Sequence, residues 1–336
     1  MHSILILLLI LALAGPALAV DGVAEINQSC AVQTGCFGGD AAGYPVTIDG
    51  TAGTSYRLTG DLIVPDDDTN GIRVNAPSVT IDLNGFEIVR SGCEGTTTDC
   101  TTKRGLGTGV GVEEGLPSSQ EIFGITVKNG SITGMAHYGV YLGEQAEVSG
   151  LRVRWNRFDG IRVDKGSIVS GSTAYENGRN GIYAKAGSTV LGNAVYENGY
   201  HGISVFAGSI VSGNAAYRNG DDGIYTSVGS TVSDNATYYN GDDGIWVSRG
   251  STVYGNTVQS NMNDGIVALE GSSVQRNTVR SNGHGSQGGY GLNLGLNTTY
   301  RENTITKNVT GAVTGIGVNL EGNYCDGTGV TSVSCP

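Results

Sequence analysis

The chain has 336 residues, 56 of them glycine, and a formal net charge of −12 at pH 7. That acidity argues against nucleic acid or an anionic membrane surface as partner, and against an acidic polysaccharide unless bound cations mediate. Glycine far above its average share of about 7% calls for frequent turns rather than long helices.

Residues 1–19 read as a secretory signal: an apolar run from Ile4 to Leu13, the Gly15-Pro16 break, then Ala17-Leu18-Ala19 before Val20. No Lys or Arg precedes the run, which is too short for a comfortable membrane span. The expected location is therefore secreted, periplasmic or cell-surface, with no span left after cleavage. The remainder, 20–336, is expected to be one elongated, monomeric domain. It divides into an N-terminal cap (20–55), a loop excursion (91–120), regular coils (121–320) and a C-terminal cap (321–336).

Six cysteines fall in three close pairs: Cys30 with Cys36, Cys93 with Cys100, and Cys325 with Cys335. An even count in an exported chain argues for disulfides, and each local pair is expected to bond. No Cys-x-x-Cys occurs, and His2, His137, His201 and His284 lie far from the pairs in sequence, so no zinc site is expected. From Tyr44 to Val89 short apolar runs such as Leu62-Ile63-Val64 and Val79 to Leu83 read as strands of the first, irregular coils. Asp66-Asp67-Asp68 reads as a solvated loop.

From Gly139 to Gly291 the sequence repeats every 21 residues. Glycines recur at Gly139, Gly160, Gly181, Gly202, Gly223, Gly244 and Gly265, each followed by Ile or, once, Val140. Valines keep the same step from Val148 to Val274, and so do asparagines from Asn156 to Asn282, with a second asparagine register from Asn193 to Asn277. Within a unit the apolar residues alternate over short runs broken by glycine, which is strand period. One unit is too small to bury its own apolar face, so successive units must stack as turns of a solenoid. The valines and isoleucines then form inward columns, and the asparagines form amide ladders that also bond turn backbone. A five-residue insertion in Ser281 to Tyr290 delays the asparagine register, which resumes at Asn303 and Asn308.

The units Asp-Gly-Ile (Asp159–Ile161, Asp222–Ile224, Asp243–Ile245, Asp264–Ile266) and Gly-Asn-Thr-Val (Gly255–Val258) resemble the right-handed parallel β-helix repeat family, which includes pectate-lyase-like proteins. The resemblance implies an all-β, single-stranded right-handed parallel β-helix. Asp221-Asp222, Asp242-Asp243 and Gly283-His284-Gly285 are similar in type to motifs of the polygalacturonase branch. His284 lies two coils past Asp242, however, and no Arg-Ile-Lys is present.

The turn before each Gly-Ile strand carries the candidate chemistry. Asp221, Asp222, Asp242, Asp243 and Asp264 are expected to stack along one edge, where like charges raise some pKa values and separate acid from base roles. Beyond them, the outward column Tyr141, Arg162, Tyr183, Ser204, Tyr225, Trp246, Val267 sets rings beside acids, a combination suited to sugar. The candidate catalytic set is Asp221, Asp222, Asp242, Asp243, Asp264 and His284; the candidate substrate-binding set is Tyr183, Tyr225 and Trp246. Calcium is a competing occupant of the carboxylates, and on a plainer reading the acids only form turns. Two functions stay open: a protein that binds, and cleaves or epimerises, an extracellular or envelope polysaccharide (a hydrolase, lyase or epimerase if an enzyme), or a non-catalytic structural surface rod.

Overall fold

The computed structural model describes residues 22–50, 54–94, 100–102, 104–112, 122–285, 288–327 and 330–335. The expected signal at 1–19 and part of the 91–120 excursion lie outside these residues. Each regular coil contains three strands of three residues, for example Ile182–Ala184, Thr189–Leu191 and Ala194–Tyr196, followed by Ile203–Val205, Ile210–Ser212 and Ala215–Tyr217. A three-residue strand has no stability of its own, so each is held by its equivalents in the coils on either side. Pairing is parallel and in register: Ile182, Ile203, Ile224, Ile245 and Ile266 lie opposite one another in succession. Val190, Val211, Val232, Val253 and Val274 do the same. These residues are 0% exposed, as columns facing inward require. Among the described residues the first strands of successive coils make a 12-stranded sheet, and the other two columns merge into one of 24 strands.

Both asparagine registers form buried ladders. Asn219 Nδ2 donates to Asn240 Oδ1 at 3.0 Å and to the Val195 carbonyl at 3.2 Å, while its backbone N–H also donates to Asn240 Oδ1. Asn214 repeats the pattern with Asn235. The ladders cross the insertion unbroken, Asn277 to Asn303 and Asn282 to Asn308. These amides also explain the glycine column. A Cβ on Gly202 would lie 2.6 Å from Asn219 Nδ2 and 2.7 Å from the Gly223 carbonyl, so the chain needs glycine there for close approach. A further ladder of serines, Ser230 to Ser251 to Ser272, accepts backbone N–H groups at another turn of the coil.

At the N-terminal end a short helix, Gln28–Gln33, is capped by Asn27, whose Oδ1 accepts the Cys30 N–H at 3.1 Å. At the other end Tyr324–Gly327 and Val330–Ser334 pair antiparallel. All three local cysteine pairs are bonded, as expected. Cys30 joins Cys36 across the end of the helix, with Cα atoms 4.6 Å apart, and Cys36 is buried against the first coils. Cys325 joins Cys335 across the terminal hairpin, with Cα atoms 5.3 Å apart, and both are buried at the last coil. Cys93 joins Cys100 and packs with Val89 and Trp155 in a small satellite core, which anchors the described end of the excursion to the coil wall. Among the described residues no helix is long and apolar enough to cross a membrane.

Two of the departures from the 21-residue step grow from the same line of turns. Residues 91–109 lead from Glu87–Arg90 into Val110–Gly111 of the 12-stranded sheet, and 281–289 lead from Thr278–Arg280 into Tyr290–Leu294 of that sheet. Along this line, between the two, stand the acidic turns.

Candidate functional site

In the coil that carries Asp221 and Asp222, Arg218 takes a left-handed φ of 55° and turns the chain, and Asn219 locks it to the next coil. The two acids follow, then Gly223 and the strand Ile224–Thr226. The acids of a pair have different surroundings. Asp222, Asp243 and Asp264 are buried, whereas Asp221 and Asp242 are half-exposed. The five therefore do not form one exposed edge. Burial follows from the turn's hydrogen bonding: Asp222 Oδ1 accepts the Asp243 N–H at 3.0 Å, and Asp243 Oδ1 accepts the Asp264 N–H at 2.8 Å. Both oxygens of Asp264 are occupied, one by the Tyr290 N–H at 2.6 Å and the other by Asn293 Nδ2 at 2.8 Å. Among the described residues, the second oxygens of Asp222 and Asp243 receive no such bond.

His201 occupies the same column one coil before Asp222. Its Nδ1 stands 3.4 Å from Asp222 Oδ2 and 3.6 Å from Asp221 Oδ2, buried and without a hydrogen-bond partner. Its ring stacks on Tyr225 at 4.8 Å, and Tyr225 stacks on Trp246 at 4.6 Å. Tyr200 tilts against the His201 ring at 4.1 Å. Ser204 and Val267 of the outward column are covered rather than outward-facing, being 6% and 8% exposed. Toward the N-terminal coils the column continues through Tyr183, Arg162 and Tyr141. The Arg162 guanidinium lies over the Tyr183 ring at 4.6 Å, reaches the Tyr138 hydroxyl at 3.2 Å and pairs with the buried Asp159 at 3.4 Å.

Burial and neighbouring charge set the proton affinities. Asp222 is pushed up to about 9, first by burial and then by Asp243, Asp221 and Asp242. Asp243 is raised to about 7 by burial, Asp242 and Asp264. His201 is lowered to about 4, because burial outweighs the pull of Asp242. At neutral pH the cluster therefore holds a neutral imidazole, a protonated Asp222 and an Asp243 close to half-titrated. Two triplets bring their ligand atoms within 4.8 Å of one another: His201 with Asp221 and Asp222, and Asp222 with Asp242 and Asp243.

His284 does not join either triplet. It is exposed, and its backbone N–H turns toward the Asn261 carbonyl at 3.5 Å. Of the sequence candidates, the structure gathers Asp221, Asp222, Asp242, Asp243, Tyr225 and Trp246, sets Tyr183 further along the same face, and leaves Asp264 in a structural role. His201 is not among the sequence candidates. The available signal was its place in an otherwise Asp and Asn column.

A right-handed β-helix family model matches residues 116–254. No curated protein matches the sequence. Among solved structures, the A-module of the Azotobacter vinelandii mannuronan C-5 epimerase AlgE6 superposes with a TM-score of 0.66 at 16% identity, over 90% of this chain and 96% of that one. The A-module of AlgE4 from the same organism gives 0.61 at 14% identity, over 91% and 87%. A point mutant of the periplasmic alginate epimerase AlgG gives 0.55 at 15%, over 80% and 74%. With its in-register parallel coils, the chain has the right-handed parallel β-helix fold of the pectate-lyase-like proteins.

Proposed function

We propose that the outward face of the 12-stranded sheet binds a polysaccharide laid along the solenoid axis, and that Asp243 transfers a proton on it. The observation that carries this reading is the continuous stack of His201, Tyr225 and Trp246 beside carboxylates whose proton affinities are driven apart. The outward edges of these stacked rings give the face an apolar floor for sugar rings, and carboxyl groups bond their hydroxyls. The two excursions bracket the same line of turns, as walls of a groove would. Arg162, the cation of the column, is paired with Asp159, so a polymer containing uronic acid would bind with cations between its carboxylates and the acidic turns. The solved structures with the same fold named above are epimerases of mannuronan and alginate, which is in keeping with that polymer class.

Asp243, raised toward neutrality, suits a general base, and a neutral Asp222 beside it suits a hydrogen-bond donor to developing negative charge. Removal of a carbon-bound proton next to a carboxylate is common to epimerisation and to β-elimination, and both reactions need such a base. Three disulfides fit an oxidising compartment outside the cytoplasm. The test is equilibrium binding to alginate, polygalacturonate and a neutral glucan. The acidic polymers should bind, and Trp246→Ala should weaken them by about 1–3 kcal/mol, as for truncating an aromatic anchor. Equal binding by parent and variant, or none at all, removes the reading and leaves a structural rod.

A further inference from the structure

We propose that His201, Asp221 and Asp222 form a binding site for one divalent transition-metal ion, of the borderline-soft class that accepts imidazole nitrogen together with carboxylate oxygen. The proposal stands on a donor set and on an orphan. His201 is 8% exposed, and its Nδ1 has no hydrogen-bond partner among the described residues, although two carboxylate oxygens stand opposite it. A buried nitrogen without a partner is costly, and native structures retain one for a reason.

The distances supply the reason. Nδ1 lies 3.4 Å from Asp222 Oδ2 and 3.6 Å from Asp221 Oδ2, longer than good hydrogen bonds. Those separations match the edge, about 3.4 Å, of a tetrahedron whose ligands stand about 2.0–2.1 Å from a central ion. The Asp222 oxygen concerned is its second, since Oδ1 accepts the Asp243 N–H and so fixes the carboxylate's orientation. The imidazole is fixed too, by Tyr225 and Tyr200. Ligands held by their surroundings in this way are a feature of metal sites. Three protein ligands leave a fourth position, on the side of the half-exposed Asp221, for water or a sugar hydroxyl.

The nitrogen decides the class of metal. Calcium and magnesium take oxygen ligands, whereas imidazole suits zinc, copper, iron and nickel. The adjoining triplet of Asp222, Asp242 and Asp243 is all oxygen and would favour a hard cation instead. The proposal does not depend on the polysaccharide reading, and its test contains no sugar.

The full chain, stripped with chelator and returned to metal-free buffer near pH 7.5, would be titrated calorimetrically with Zn2+ and, in parallel, with Ca2+. The expected result is one Zn2+ per chain, bound at least tenfold more tightly than Ca2+, with a raised melting temperature. His201→Gln and Asp222→Asn should each weaken Zn2+ binding at least tenfold, and His284→Gln should not. Cu2+ bound as a spectroscopic substitute should show nitrogen hyperfine coupling in its electron paramagnetic resonance, which decides the matter on the parent protein should a variant fail to fold. Absence of stoichiometric Zn2+ binding, Cu2+ without nitrogen coupling, Zn2+ binding unchanged in His201→Gln, or a preference for Ca2+ would each overturn the proposal.

Discussion

Asp222 Oδ1 accepts the backbone N–H of Asp243, one coil further on, at 3.0 Å. The bond shows that one carboxylate can serve the fold and the site together. One oxygen ties adjacent coils, and the other faces His201 Nδ1 at 3.4 Å. Removing the charge and removing the hydrogen bond are therefore separable experiments.

Asp222→Asn removes the titratable group and keeps an oxygen for the Asp243 N–H, and the column already accepts an amide of that size at Asn180. Asp222 and Asp243 are raised to about 9 and about 7. Between the unfolded carboxylate value near ~4 and those values, the folded chain holds more protons than the unfolded one. Stability of the metal-free protein should then fall as pH rises, most steeply near neutrality and ending near pH 9. His201, lowered to about 4, acts in the opposite sense only between there and its unfolded value of about 6.5. Denaturation midpoints measured from pH 5 to 9.5 in chelator should show this alkaline loss. Asp222→Asn should flatten it and be more stable than the parent at pH 9 by about 1 kcal/mol or more.

Asn219→Ala breaks a buried ladder. It removes the acceptor of the Asn198 N–H and side-chain amide, and the donor to Asn240 and Val195. Leaving such groups unpaired should destabilise by about 1–3 kcal/mol or more, read from the chemical denaturation midpoint. An unchanged midpoint would count against a buried ladder.

Gly223→Ala tests the close approach. A Cβ there would stand 2.6 Å from Asn240 Nδ2 and 2.7 Å from the Gly244 carbonyl. The clash should cost about 1–3 kcal/mol, as overpacking does. Gly229→Ala provides a contrast: nothing stands within 4 Å of its Cβ, and its penalty should come only from the left-handed φ of 66°.

Asp243→Asn is expected to abolish turnover on any polymer the protein converts, because an amide of the same shape cannot carry the proton. Affinity for the polymer and the melting temperature at pH 6 should stay close to the parent's. Product analysis by proton magnetic resonance would separate epimerisation from elimination, and activity retained in the variant would remove Asp243 from the chemistry.

The 21-residue period by itself determined the solenoid. Once residue i must lie on residue i+21, each column shares one environment, and uniform valine or asparagine columns read as buried ones. The bonds of Cys30 to Cys36, Cys93 to Cys100 and Cys325 to Cys335 were legible because partners six to ten residues apart need no long-range information. The site was legible as a line of acids beside a column of outward rings. Whether Asp221 or Asp222 turns inward depends on the path of one turn, and neighbouring residues of the same type carry no sequence signal for it. Only the tertiary structure decided that Asp264 is saturated by Tyr290 and Asn293, a consequence of how the insertion returns the chain to the sheet. It alone brought His201 onto Tyr225 and against the two acids. Contacts of that kind arise from ring packing across coils, and no period in the sequence records them.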